Sequence, residues 1–166
     1  KGFIPRQRAL QAYDTQAESL QDKQLKKLLA KACHTEWGQK HDYRTIHTYE
    51  EYARRVPIQS YEDIKPYVER MRHGAQNVLW PSQVRWYAKS SGTTNDKSKF
   101  IPVTSEGLKQ MHYKGPVDCV AYYLQTRPDS RFFFFFFLIL GGSHAPNYNL
   151  KHSLVGHLSA ILIENM

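Results

Sequence analysis

A mixed α/β fold is what this sequence predicts, on three observations. Apolar residues recur at helical spacing near the amino end, two short β-like runs flank a loop of hydroxyls, one glycine and lysines, and capped helical segments surround that pair. With 166 residues, 41% of them hydrophobic and 23% charged, the chain has what one ordinary domain needs to bury a core.

The elements follow in chain order. Between 6 and 33, Leu10, Tyr13, Ala17, Leu20, Leu25, Leu28, Leu29 and Ala32 fall near one helical face, as one long helix or two joined around 19–22. Thr48 before Tyr49-Glu50-Glu51 and Ser60 before Tyr61-Glu62-Asp63 each set a capping hydroxyl ahead of an acidic first turn, which predicts two short helices. Pro57 ends the first; the second ends near Gly74, and Pro66 inside it implies a kink or a late start. Residues 84–88 and 100–103 predict two strands of a hairpin. Thr104 caps a helix over 105–124 with a break at Pro116, and Arg127-Pro128-Asp129-Ser130 turns the chain. A strand is expected over 132–140, then a last helix that starts near Ser153 and carries Leu154, Leu158, Ile161 and Leu162 on one side.

The hairpin loop is the segment with chemistry: Ser90-Ser91-Gly92-Thr93-Thr94-Asn95-Asp96-Lys97-Ser98-Lys99. Gly92 lets the backbone approach a ligand, the hydroxyls of Ser90, Ser91, Thr93 and Thr94 and the main-chain amides donate to phosphate oxygens, and Lys97 and Lys99 supply compact positive charge. A nucleoside triphosphate suits such a loop. No Gly-x-x-x-x-Gly-Lys-Ser/Thr run exists, so it is not a Walker loop. The same residue types also build plain hairpin turns, in which Ser91 and Thr94 cap and Lys97 or Lys99 points into solvent.

Composition excludes several classes. No run of eighteen apolar residues exists, and the amino end has no signal-peptide core, so a cytoplasmic protein without a membrane span is expected. The two cysteines, Cys33 and Cys119, form no Cys-x-x-Cys pair, and the histidine spacings fit no zinc site. The net charge of +8 favours anionic partners. Trp37, Trp80, Trp86 and Tyr87 near basic residues admit an alternative, a nucleic-acid-binding module, although these aromatics are spread among periodic segments that need them for a core. A non-catalytic interaction protein is a third reading.

The loop resembles the Thr/Ser-Ser-Gly-Thr-Thr-Gly-x-x-Lys loop of acyl-adenylating enzymes, the superfamily of acyl-CoA synthetases, peptide-synthetase adenylation domains and luciferases. More narrowly, Ala88-Lys89-Ser90-Ser91-Gly92-Thr93-Thr94 and Lys97-Ser98-Lys99-Phe100-Ile101-Pro102-Val103-Thr104 are similar to the auxin-responsive promoter family, the acyl acid amido synthetases, in its bacterial branch. Thr35-Glu36-Trp37-Gly38, Arg55-Val56-Pro57-Ile58, Tyr61-Glu62-Asp63-Ile64-Lys65-Pro66-Tyr67, Asn77-Val78-Leu79-Trp80-Pro81 and Leu158-Ser159-Ala160-Ile161-Leu162 extend the resemblance over most of the chain.

The resemblance implies the amino-terminal portion of an acyl-adenylating fold. A helical segment over 1–83 packs on the sheet, 84–166 begins the α/β adenylation core, and the rest of the large domain and the carboxy-terminal domain are absent, leaving a fragment inactive on its own. It implies ATP and Mg2+ as cofactors, a small carboxylic acid and an amine as partners, and neither nucleic acid nor membrane. Lys99 would be the catalytic lysine that neutralises the β- and γ-phosphates, with Ser90, Ser91, Gly92, Thr93, Thr94 and Lys97 orienting them. The loop is one residue longer than the common form, which leaves Lys97 and Lys99 as alternatives for the family lysine; Lys99 is preferred because Phe100 begins the strand. Tyr122, Tyr123 and the glycine-rich 141–144 segment would border the acyl pocket or simply pack. Phenylalanines at 134–137 replace a Gly/Lys-containing stretch, and His157 replaces an acidic residue.

Overall fold

The computed structural model describes residues 4–90, 98–131 and 138–166. Helix α1 (Ile4–Ala32) leaves helical geometry at Gln16, where φ is −128° and ψ 19°. The two-helix alternative is therefore the one adopted, with its joint at Gln16. The 19–22 stretch stays helical, and an Asp22–Lys26 ion pair at 2.8 Å, one turn apart, supports it.

Two short helices, α2 (Glu36–Lys40) and α3 (Tyr49–Arg55), precede α4 (Tyr61–Arg72). Both expected capping boxes form: Thr48 and Glu51 serve α3, Ser60 and Asp63 serve α4, each hydroxyl and carboxylate accepting from the other's backbone N–H. The bonds from the Ser60 hydroxyl and amide hold the Asp63 carboxyl below its ordinary range. Helix α4 starts at Tyr61 and runs through Pro66, so the late start does not occur; Pro66 lies on the exposed face, where water can serve the carbonyl its missing N–H leaves free. Gly74, at φ 101°, then turns the chain as a left-handed cap.

Three strands make the sheet, in the order β2 (Phe100–Val103), β1 (Trp86–Lys89), β3 (Leu154–Gly156). Strand β1 pairs antiparallel with β2, Trp86 opposite Val103 and Lys89 opposite Phe100, and parallel with β3, Tyr87 opposite Val155. Alternation along the strands gives the sheet two apolar faces. Tyr87 and Val155 pack with Val68 and Met71 of α4 and with Val78 and Val84, and Phe100 joins that cluster. On the other face Ala88 and Val103 meet Leu108 and Ile161, with Trp86 and Leu158 beside them. The sheet is thus covered by helices on both sides, the α/β arrangement expected.

Beyond β2, Thr104 caps as predicted, its hydroxyl accepting from Gly107 N–H. The helical path runs through α5 (Ser105–Gly107), a π-helical segment (Leu108–Tyr113) and α6 (Lys114–Thr126). Pro116 does not break it; the chain changes winding in the turns ahead of the proline instead. Arg6 grips Asp118 with two bonds of 2.6 Å and holds α6 to α1.

Two expectations are corrected at the carboxy end. Leu138, Ile139 and Leu140 form no strand and stand exposed, because the outer edge of β3 is taken by 143–145, where the Ala145 N–H donates to the Val155 carbonyl at 2.9 Å and His144 bridges Gly156. The rest of that expected strand, 132–137, lies outside the described residues. The last helix, α7 (Leu158–Glu164), starts at Leu158 rather than near Ser153, because Leu154 to Gly156 are drawn into the parallel ladder and Leu154 leaves the helical set. Among the described residues no helix is long and apolar enough to cross a membrane.

Candidate functional site

The antiparallel register of β1 and β2 closes the neck of the predicted loop. Lys89 sits opposite Phe100, and one step further the Ser90 N–H donates to the Lys99 carbonyl at 3.0 Å. Ser90 and Lys99 are therefore brought together, half-buried and exposed respectively. Ser91, Gly92, Thr93, Thr94 and Lys97 lie outside the described residues.

Three helix- and turn-borne side chains hold this neck. Tyr61, the first residue of α4, accepts a hydrogen bond from the Phe100 N–H at 2.9 Å, and the Lys99 ammonium lies 5.5 Å from the centre of the same tyrosine ring. Arg72, at the last turn of α4 and only 6% exposed, stacks its guanidinium 3.8 Å from the centre of the Phe100 ring. It also donates to the Tyr148 carbonyl at 2.8 Å and to the Glu69 carboxylate at 3.2 Å. Tyr148 closes a 3-10 turn (Pro146–Tyr148), and its ring carries the Lys89 ammonium 4.1 Å above it.

The electrostatics follow from what is missing around the lysines. Among the described residues no carboxylate pairs with Lys89 or Lys99, and both ammonium groups rest on aromatic faces, which supply a weak attraction. A polyanion at the loop would meet two such charges from opposite strands. Beneath them, burial pushes the Tyr87 hydroxyl up to about 12, with Arg72 pulling the other way.

Sequence reading missed Lys89, Tyr61, Arg72 and Tyr148 as parts of this neck. Lys89 was within reach, since strand alternation puts it beside the loop on the Tyr87 face. Arg72 was not, because its site depends on a turn far along the chain. Tyr122 lines a cleft of about 490 Å³ between α1 and α6 with Leu10, Tyr13 and Asp118, whereas the 141–144 segment packs on α7 through Gly142 N–H to Ser159 at 2.7 Å. These two expected borders of one pocket have different surroundings. Trp37 is buried, Trp80 donates to Glu106 at 2.9 Å, and Trp86 packs on the sheet's second cluster, so the three indoles serve the fold.

Comparison with known proteins places this geometry in a family. The GH3 family N-terminal domain matches residues 6–139. A probable indole-3-acetic acid-amido synthetase, GH3.13 of Oryza sativa subsp. japonica, is 41% identical over 58 residues, 34% of this chain and 12% of that protein. The 4-substituted benzoates-glutamate ligase GH3.12 of Arabidopsis thaliana is 28% identical over 108 residues, 64% of this chain and 19% of that protein. Among solved structures, the GH3.15 acyl acid amido synthetase superposes with a TM-score of 0.78 at 20% identity, covering 94% of this chain and 28% of that one. The AtGH3.15 acyl acid amido synthetase in complex with 2,4-DB gives 0.73 at 19%, covering 96% and 28%. The chain therefore spans well under a third of these proteins. Both named relatives are plant proteins, and the expected bacterial branch gains no support from them. With the match running from the bend-bearing first helix past the hairpin of β1 and β2, the chain belongs to the GH3 family.

Proposed function

We propose that this chain carries the ATP-phosphate grip of an acyl acid amido synthetase. In that reaction a carboxylate oxygen attacks the α-phosphorus of ATP, pyrophosphate leaves, and the acyl group of the resulting acyl-adenylate then passes to an amine such as an amino acid with release of AMP. The observation that carries the reading is the closed hairpin neck with Lys89 and Lys99 beside it and, among the described residues, no carboxylate on either. Relatives named as an acid-amido synthetase and as a benzoates-glutamate ligase support the reaction class.

Lys99 neutralises charge on the β- and γ-phosphates, and Lys89 adds a second cation from the facing strand. Ser90, Ser91, Thr93 and Thr94 with the Gly92 amide orient the phosphates, and Lys97 lends charge from the loop itself. Mg2+ would be held largely by the nucleotide's own phosphates, the usual way this ion is bound, and would share in neutralising their charge. Cys33 and Cys119 are free thiols, which fits a reducing, cytoplasmic setting.

Equilibrium titration tests the reading. Saturable ATP binding for which pyrophosphate competes is expected; ATP binding no tighter than adenosine contradicts it.

A further inference from the structure

The aromatic side chain at the start of α4 is placed as no ordinary first-turn residue needs to be. Strand β2 lies at the sheet edge, so the Phe100 N–H points away from β1 and has no ladder partner. Tyr61 supplies one: its hydroxyl accepts that N–H at 2.9 Å and reaches back toward the Phe100 carbonyl at 3.5 Å. The neck is thus pinned on both sides, by the Ser90 to Lys99 bond inward and by Tyr61 outward. The same tyrosine ring lies 5.5 Å from the Lys99 ammonium.

We infer that Tyr61 is a positioning residue for Lys99. It fixes the strand exit from which the lysine springs, and its ring narrows the rotamers of a side chain that otherwise gives up much of its freedom on binding. The inference rests on the phosphate-grip reading: a lysine held near its working place binds the β- and γ-phosphates with less ordering left to do. Arg72, 3.8 Å from the centre of the Phe100 ring, keeps that residue from swinging when its backbone is pulled.

The test compares ATP with AMP, which lacks the phosphates Lys99 serves, on the 166-residue chain and its variants. Tyr61→Phe, which keeps the ring and loses the hydroxyl, weakens ATP about two- to tenfold and leaves AMP unchanged. Tyr61→Leu weakens ATP by roughly a further two- to fivefold. Combined with Lys99→Ala, Tyr61→Leu adds almost nothing, because the group it positions is gone. Equal losses of ATP and AMP, or unchanged ATP affinity in both Tyr61 variants, overturn the inference while the grip stands. ATP affinity that Lys99→Ala does not alter overturns the grip and the inference with it. If Tyr61→Leu does not fold, Tyr61→Phe decides alone.

Discussion

Arg72 lays its guanidinium 3.8 Å from the centre of the Phe100 ring while donating to the Tyr148 carbonyl, so one nearly buried cation joins the end of α4, the start of β2 and the turn before β3. Removing it strips a cation–π contact and a charge-assisted bond from the neck of the β1–β2 hairpin. Arg72→Ala is expected to cost about 2–3 kcal/mol in urea unfolding. Arg72→Lys recovers little of that, because an ammonium lacks the planar fork that stacks and donates together. Full stability in Arg72→Ala contradicts this account of the neck.

Gly38 is forced by packing. A Cβ there meets the Ala32 carbonyl oxygen at 2.1 Å, and that atom is backbone and cannot turn aside. Gly38→Ala is expected to destabilise the chain by about 3 kcal/mol, read as a lowered thermal midpoint. Thr35, fully buried, donates to the Ala32 carbonyl and accepts the Gly38 N–H, so Thr35→Val costs about 1–2 kcal/mol through the lost cap.

Alkaline pH weakens the fold by a definite route. Burial raises the hydroxyls of Tyr87 and Tyr43 to about 12, above their ordinary value of 10. A raised value means the unfolded chain loses these protons first, so their contribution is whole below pH 10 and falls away as pH climbs toward 12. Unfolding followed across that range should steepen, and Tyr87→Phe should flatten part of the fall. The Tyr87 hydroxyl has no hydrogen-bond partner among the described residues, so the phenylalanine variant is also expected to gain about 1 kcal/mol at neutral pH.

What was legible in the sequence was local. The bounds of β2, the Thr48, Ser60 and Thr104 caps and the Gly74 stop follow from hydroxyls, prolines and glycines acting on neighbours in the chain. Ser90 and Lys99 meet as expected because a hairpin needs only its own two strands. Leu154 was misread, since its helical spacing to Leu158 is real but a parallel ladder to β1, invisible in local pattern, outweighs it. The Tyr61 contact to Phe100 spans 39 residues and that of Arg72 to Tyr148 spans 76, so neither leaves a periodic trace.

Lys99 bears the central claim, that the hydroxyl-and-lysine hairpin grips the polyphosphate of ATP. The most direct measurement is the ATP affinity of the chain against that of Lys99→Ala, with the thermal midpoints matched to show that both fold. The account predicts a loss of roughly tenfold or more for the variant, the worth of one charge-assisted bond. Equal affinities for ATP in the two proteins contradict it.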